Sequence, residues 1–344
     1  MARGIPRIGG SRLILCLSTL LLFATTGCIS VDLFGRGGAA PLSESIVRGD
    51  AGPKILIIDI DGVIAGASAT DWFLGGEEIG MVARVREMLD LARADDEVKA
   101  LLLRIDSPGG TVTASEQVYS EIMRFKKERR IPVIAQLLGT AASGGYYVAM
   151  AADEVQAHPT TVTGSIGVIF SSMNVVGLME KLGIEDQTIT GGEFKDAGSP
   201  YRRLNAEERA QLQSIVDDLH TRFKEVVSLG RPGLGSEDVA RLAEGQIFSA
   251  PQALKNGLVD RIGTLEEAVR LIEVKIGVDR SRVVAYHRPN EVRRNLYMKT
   301  PGTSPARAGL AGPSTSLAPL SQMGLSRLLS RPGFHYLWWP GLGN

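Results

Sequence analysis

The apolar positions of the chain fall into runs whose period changes along its length. "KILIIDIDGVI" (54–64) is a continuous β-branched stretch closed by glycine, the pattern of a strand buried on both faces. "VKALLLRIDSPGG" (98–110) and "IPVIAQLL" (131–138) repeat it, and each runs into a turn rich in small residues. Between them the period lengthens. An amphipathic helix is predicted over 77–93, and Val118, Ile122 and Phe125 share one face of a second helix, for which Thr113 and Glu116 have capping-box spacing. Shorter strands are predicted near 153–157, 165–170 and 184–190, with a helix at 174–182. A long helix starts at Asn205, carries Leu212, Val216, Leu219, Phe223 and Val227, and stops at "GRPG"; Thr264 and Glu267 cap a last helix ending at Gly277. Strands alternating with helices predict an α/β domain with a largely parallel sheet.

Outside this domain the pattern fails at both ends. Arg3, Arg7 and Arg12 precede the apolar run "LILCLSTLLLFA" and then "TTGC", the order of an export signal. Small residues before Cys28 resemble a bacterial lipobox, with Thr25 standing where an aliphatic residue is usual, so Cys28 is the lipidation candidate. The alternative is an uncleaved anchor, because Leu13 to Val31 is uncharged and long enough to span a bilayer. Either way the protein is expected in a bacterial cell envelope, tethered to the membrane with its folded part outside the cytoplasm. The organisation predicted is 1–28 signal or anchor, 29–52 Gly-rich tether, 53–290 folded domain and 291–344 a flexible tail rich in Pro, Ser and Gly. The tail ends in an aromatic cluster, Tyr336, Trp338 and Trp339. If it is not simply frayed, it docks at a membrane interface, aided by Arg327 and Arg331, or lies as an extended peptide in a groove of the protein itself.

Composition narrows the chemistry. Of 344 residues, 38 are Lys or Arg and 38 Asp or Glu, which removes any electrostatic reason to expect a nucleic-acid partner. Both cysteines, Cys16 and Cys28, lie near the N-terminus, and the four histidines are scattered, so neither a disulfide nor a His/Cys metal centre is expected in the domain. The expectation is no metal and no cofactor.

Three constellations remain. Asp59 and Asp61, after the first strand, resemble the opening motif of haloacid-dehalogenase-like phosphatases, but no later acidic pair follows an apolar strand to complete a metal site. "RIDSPGG" ends a strand in Pro-Gly-Gly, which can leave consecutive N–H groups aimed at an oxyanion. Ser143, in "GTAASGGYYVA", follows the next strand. In a parallel sheet both turns lie on the same carboxyl edge, where Gly144 and either Gly109 or Gly110 would offer N–H groups beside the hydroxyl. A serine nucleophile needs a base, and no histidine is well placed. Lys195, in the Gly-flanked loop "TGGEFKDAGSP", is the other choice; a free lysine titrates near 10.4, so it must be desolvated to accept a proton near neutral pH.

"RIDSPGG", "AASGGYYVA", "TGSIGVI", "GEFKDAGSP" and "ALKNGLVDRIG" occur in an order that resembles the signal peptide peptidase A family of membrane-associated serine proteases, over about residues 54–275. The resemblance implies a Clp protease/crotonase-like α/β fold, a spiral of ββα units in a single domain that assembles into homo-oligomeric rings. It implies Ser143 as nucleophile and Lys195 as general base, with Gly109, Gly110 and Gly144 forming the oxyanion hole. Ser165 in "TGSIG" is a candidate for orienting the lysine. The substrates implied are apolar peptides, notably signal-peptide remnants in the membrane. A crotonase-like acyl-CoA enzyme uses the same glycine turns without a serine nucleophile and is the alternative within the fold; the phosphatase reading through Asp59 and Asp61 is the other.

Overall fold

The computed structural model describes residues 40–66, 70–71, 76–77, 79–289, 291, 293–298 and 333–338. Cys28 and the expected signal or anchor lie outside the described residues, as do Arg327, Arg331 and Trp339. Among the described residues no helix is long and apolar enough to cross a membrane.

Strands β1 (Ser43–Arg48) and β2 (Lys54–Asp61) are followed by a short pair, β3 (Thr70–Asp71) and β4 (Gly76–Glu77), and by helix α1 (Met81–Ala94). Next come β5 (Val98–Ser107), β6 (Gly109–Thr111), α2 (Val112–Arg129), β7 (Val133–Ala142) and the short helix α3 (Gly144–Ala149). Strands β8 (Glu154–Ala157), β9 (Val162–Gly164) and β10 (Ile169–Ser171) precede α4 (Val176–Leu182) and the long α5 (Ala206–Gly230). The chain continues through α6 (Ser236–Leu242), β11 (Ile247–Ser249), α7 (Ala250–Lys255), β12 (Arg261–Ile262), α8 (Leu265–Ile276) and β13 (Arg282–His287). A last strand, β14, spans Gly333–Leu337.

The main sheet runs β1-β13-β2-β5-β7-β8-β12, with β9 beside the end of β7 and β11 beside β9. Every pairing from β13 to β12 is parallel, and only β1 and β11 run antiparallel. Side chains alternate between two cores, as strands covered on both faces require. Leu56, Ile58, Ile60, Leu101, Leu103 and Ile105 pack with α1, α2 and α3. Ile55, Ile57, Ala100, Leu102 and Ile134 pack on the other face against Leu265, Ala268, Val269 and Ile272 of α8. The three long apolar runs are thus the central strands, and the parallel sheet puts the ends of β5 and β7 on one edge, Ser107 in register with Ala141.

Several local expectations are corrected. Helix α2 begins earlier than the Thr113 box: Thr111 is its N-cap and accepts from the Ala114 N–H, because β6 ends at Thr111, while Glu116 is drawn into a pair with Arg222. Residues 184–190 form no strand; Ile189 is 97% exposed and the segment has no neighbouring strand among the described residues. Of the strand predicted over 165–170 only Ile169 and Phe170 are in a strand, β10; β9 ends before it at Gly164, and Ser165 at φ 51° breaks the extended run. The segment read as tether contains β1, whose Val47 is buried against α8. Beyond residue 290, Arg293 joins the buried Asp59–Arg104 pair, and Arg104 donates to the carbonyls of Leu296 and Met298. The aromatic end of the expected flexible tail holds β14, the middle strand of a second, antiparallel sheet ordered β10-β14-β6.

Candidate active site

Ser143 sits where β7 turns into α3. Its N–H donates to the Gly164 carbonyl at 2.8 Å, extending the parallel β7–β9 ladder by one bond. Its backbone then adopts φ 52° and ψ −118°, a region that costs a non-glycine residue about 1–3 kcal/mol. A sharp strand-to-helix turn of this kind presents a side chain at a sheet edge instead of packing it below. The residue is only 1% exposed, yet its hydroxyl makes no capping bond to α3. The cap is made by the backbone alone: Ser143 C=O accepts from Tyr147 N–H at 2.8 Å, so the hydroxyl is not spent on holding the helix.

The Pro-Gly-Gly turn lies beside it. Ser107 Oγ accepts from the Gly109 N–H at 3.1 Å, and Gly109 C=O and Thr111 N–H both bond to Ile64 at 2.9 Å. Those bonds leave the N–H and C=O of Gly110 facing the other way, toward β14. There Trp338 N–H donates to Pro108 C=O at 2.8 Å, and Tyr336 is in register with Gly110. Bonding pairs alternate along an antiparallel ladder, which makes Gly110 N–H to Tyr336 C=O the next bond. The crowding agrees: a Cβ on Gly109, at φ 102°, would stand 2.0 Å from Tyr336 O and 2.7 Å from Gly144 N. A Cβ on Gly144 would meet the same oxygen at 3.1 Å. The Tyr336 carbonyl oxygen therefore rests in a notch between the Gly109-Gly110 turn and Gly144, the first residue of α3, where helix N–H groups lack internal partners. Of the two turn glycines, Gly110 turns its N–H toward the notch; that of Gly109 is occupied by Ser107.

Ser165 follows Gly164, so it stands at the end of the strand paired with the one that ends at Ser143, also at positive φ. Its N–H donates to Gln246 C=O and the residue is 8% exposed. Lys195 is on the surface, in a turn closed by its own N–H to Gly192 C=O at 3.1 Å. That loop is firmly held. Arg202 bridges Asp196 and the buried Glu208, Ser172 Oγ donates to Gly198 C=O, and Glu208 closes the capping box of α5 with Asn205. The hydrogen bonds from Arg202 hold both Asp196 and Glu208 below the usual carboxylate range. Asp59 is not available as a phosphate nucleophile: buried, it accepts from Arg104 Nε at 2.8 Å and Nη2 at 2.9 Å and pairs with Arg293. Burial pushes the Arg293 guanidinium down to about 10, against the pull of Asp59. Among the described residues no group of His, Cys, Asp and Glu is placed to hold a metal ion.

Some participants carry no sequence signal of their own. Ser107 supports the turn from within its own strand, and its part is visible only once Gly109 folds back over it. Tyr147, Phe223 and Tyr119 form an aromatic pocket in which Tyr336 is fully buried. Tyr147 donates its hydroxyl to Glu116, which Arg222 also clasps through two nitrogens. Burial raises Glu116, but the bonds from Arg222 and Tyr147 outweigh it and the carboxylate stays below its usual range; burial and Glu116 push the Tyr147 phenol up.

The sheet order and the paired turns at its carboxyl edge define an α/β protein of the Clp protease type, and a Clp protease family model matches residues 72–163. A model of peptidase family S49 matches residues 125–279. A protein of Enterococcus faecium named "Putative signal peptide peptidase SppA" is 36% identical over 243 residues, which is 71% of this chain and 70% of the relative. Protease 4 of Haemophilus influenzae is 33% identical over 220 residues, 64% of this chain and 34% of its own length. The chloroplastic serine protease SPPA of Arabidopsis thaliana is 32% identical over 199 residues, 58% of this chain and 29% of its own. Among solved structures, a serine-to-alanine mutant of the 1510-N membrane-bound stomatin-specific protease is matched over 64% of this chain and 84% of its own, at 16% identity and a TM-score of 0.41. The chain belongs to the signal peptide peptidase A family, peptidase family S49. That membership removes the phosphatase and acyl-CoA readings.

Proposed function

We propose that this chain is a serine endopeptidase that hydrolyses apolar peptides, signal-peptide remnants among them, with Ser143 as nucleophile and Lys195 as general base. The observation that carries the reading is the conjunction at one sheet edge: a hydroxyl released from capping by an unusual backbone turn, beside a notch between the Gly109-Gly110 turn and Gly144 that receives a carbonyl oxygen. Ser143 Oγ attacks the peptide carbonyl, and the oxygen, now an anion, gains most from donors already in place, worth about 10²- to 10³-fold in rate for each. The proton from Ser143 passes to Lys195 and then to the leaving amine. Ser165, at the end of the strand beside Ser143, orients the lysine amine.

In the isolated chain Lys195 is exposed. Desolvation is supplied by assembly. Helix α4 buries none of its residues, and Leu178, Leu182, Ile184, Ile189, Phe194 and Tyr201 stay exposed around the lysine loop. A second copy packed on this apolar face completes the site in a ring, held at the membrane by the N-terminal segment in the cell envelope. Labelling with a serine-reactive fluorophosphonate tests the nucleophile. The full chain is expected to label at Ser143, Ser143→Ala to lose the label, and Ser143→Ala and Lys195→Ala each to lose peptide hydrolysis while keeping the wild-type circular dichroism. Hydrolysis by either variant at more than about a hundredth of the wild-type rate would overturn the assignment.

A further inference from the structure

Lys195 stands between two carboxylates in sequence, Glu193 and Asp196, yet among the described residues it forms no ion pair with either. Asp196 is taken instead by Arg202. Arg202 Nε donates to Asp196 Oδ2 at 2.6 Å and Nη2 to Oδ1 at 2.5 Å, a fork that covers both oxygens. The same guanidinium holds Glu208: Nη1 donates to Oε2 at 2.8 Å, and Nη2 also reaches Oε1. A last Nη1 bond goes to the Arg203 carbonyl at 3.3 Å. A guanidinium has five N–H groups, and all of them are engaged here.

The clamp is anchored away from the lysine. Glu208 is 1% exposed and accepts from the Asn205 N–H at 3.0 Å in the first turn of α5, where the helix dipole favours a carboxylate. The backbone of the loop has ties of its own. Val175 N–H donates to Pro200 C=O at 2.8 Å, Asn174 Nδ2 to Arg202 C=O at 2.8 Å, and Ser172 Oγ to Gly198 C=O at 2.7 Å. An arginine that served only to fasten the loop to α5 would need Glu208 alone. This one commits two of its bonds to the side chain next to the lysine, and so decides where that carboxylate points. A carboxylate left free beside a lysine favours the ammonium, the form that cannot receive a proton. The other charged residues of 193–208, Glu193, Arg203 and Glu207, are exposed, where water and salt screen them. Residues 169–175, to which the loop is tied, carry no charge.

Resting on the reading of Lys195 as general base, we propose that Arg202 is a positioning residue for it: by taking both oxygens of Asp196, it withholds that carboxylate from the Lys195 amine and leaves the amine open to the proton of Ser143. Arg202 touches neither the substrate nor the reacting atoms, and its effect passes through Asp196 alone. A neutral side chain at 202 releases the carboxylate. Removing the carboxylate as well cancels that release.

The test is the pH dependence of kcat/KM on an apolar peptide, with fluorophosphonate labelling of Ser143 and circular dichroism alongside. In Arg202→Gln the acid limb is expected about one pH unit above that of wild type, so that activity below the limb falls about tenfold while the alkaline plateau is kept. Asp196→Asn alone is expected to leave the limb in place or move it down. The double variant, Arg202→Gln with Asp196→Asn, is expected to return the limb to the wild-type position. Should Arg202→Gln fail to fold because Glu208 is left buried without its cation, the same comparison is made with Glu208→Gln added throughout, since glutamine keeps the capping-box contact. A limb that does not move in Arg202→Gln, whether activity is kept or lost equally at every pH, overturns the proposal. So does a displacement that persists in the double variant, or an Asp196→Asn limb above that of wild type. Each of these, in a wild type that labels at Ser143 and hydrolyses the peptide, leaves the protease reading standing. A wild-type chain that neither labels nor hydrolyses brings down both readings.

Discussion

Gly110 shows how little room the chemistry leaves. Its N–H faces the Tyr336 carbonyl, while a Cβ on it would stand 1.9 Å from the Ile64 carbonyl oxygen, a backbone atom that cannot swing aside. Gly110→Ala must therefore push the turn away from Ile64 and carry the N–H out of line. The expected outcome is a fall in kcat of about 10²-fold or more, measured on an apolar peptide, with a lowered Tm. Gly233→Ala, where a Cβ meets nothing within 4 Å, serves as the control and should stay close to wild type in both. A Gly110→Ala protein with kcat within about twofold of wild type contradicts the oxyanion role. The proximity of Ser143, Gly144 and the Gly-Gly turn was legible in the sequence, because two turns that follow neighbouring parallel strands must share an edge. Which glycine turns its N–H toward the notch was not legible. It depends on Ser107 reaching forward to Gly109, and on Ile64 arriving from another strand to take the bonds on either side of Gly110.

Strand β14 carries a pH dependence of its own. His335 is 4% exposed, and both of its ring nitrogens lack partners among the described residues; its register partners, Ile169 and Thr111, carry no charge. Burial alone pulls its pKa below the ordinary 6.5. The undocked strand therefore binds a proton more readily than the docked one, and docking is strongest above pH 6.5 and weakens as pH falls from there through the docked value. In the Ser143→Ala protein, tryptophan emission from Trp338 is expected to shift red across that window, and His335→Gln to flatten the change. An emission maximum in Ser143→Ala that stays constant from about pH 7.5 to about pH 5 would show that the strand remains docked and would contradict the histidine's role. The long strands and helices were legible because each carries a full apolar run or face; β14 was not. Its few residues lie in a segment rich in Pro, Ser and Gly, and its burial comes from a pocket assembled by α2, α3 and α5, none of which is near it in sequence. The opposite error, a strand at 184–190, arose from Ile184 and Ile189, apolar residues that the single chain leaves in water.

Those exposed residues become the prediction for the whole molecule. If the face around α4 and the Lys195 loop is covered by a second copy, and the lysine serves its neighbour's serine, two dead proteins should rescue each other. Mixing Ser143→Ala with Lys195→Ala under conditions of subunit exchange is expected to restore roughly a quarter or less of wild-type activity, in the proportion of sites that draw one intact residue from each partner. Specific activity of the wild type should also fall on dilution. A monomer in analytical ultracentrifugation with undiminished activity would contradict both expectations.

The bridging position of β14 has a further consequence for what this protein can attack. Without it, β6 and β10 each present an unpaired row of backbone donors and acceptors, and such edges accept any extended chain, since main-chain pairing is blind to side chains. A groove of that kind filters by conformation before it filters by residue. A folded protein, whose strands already have neighbours and whose helices satisfy themselves, has nothing to offer it. A segment stripped of its partners, such as an apolar fragment left over after another cleavage, has a whole backbone to give. Discrimination between living protein and debris would then need no recognition of sequence at all, only the geometry of two edges held one strand apart.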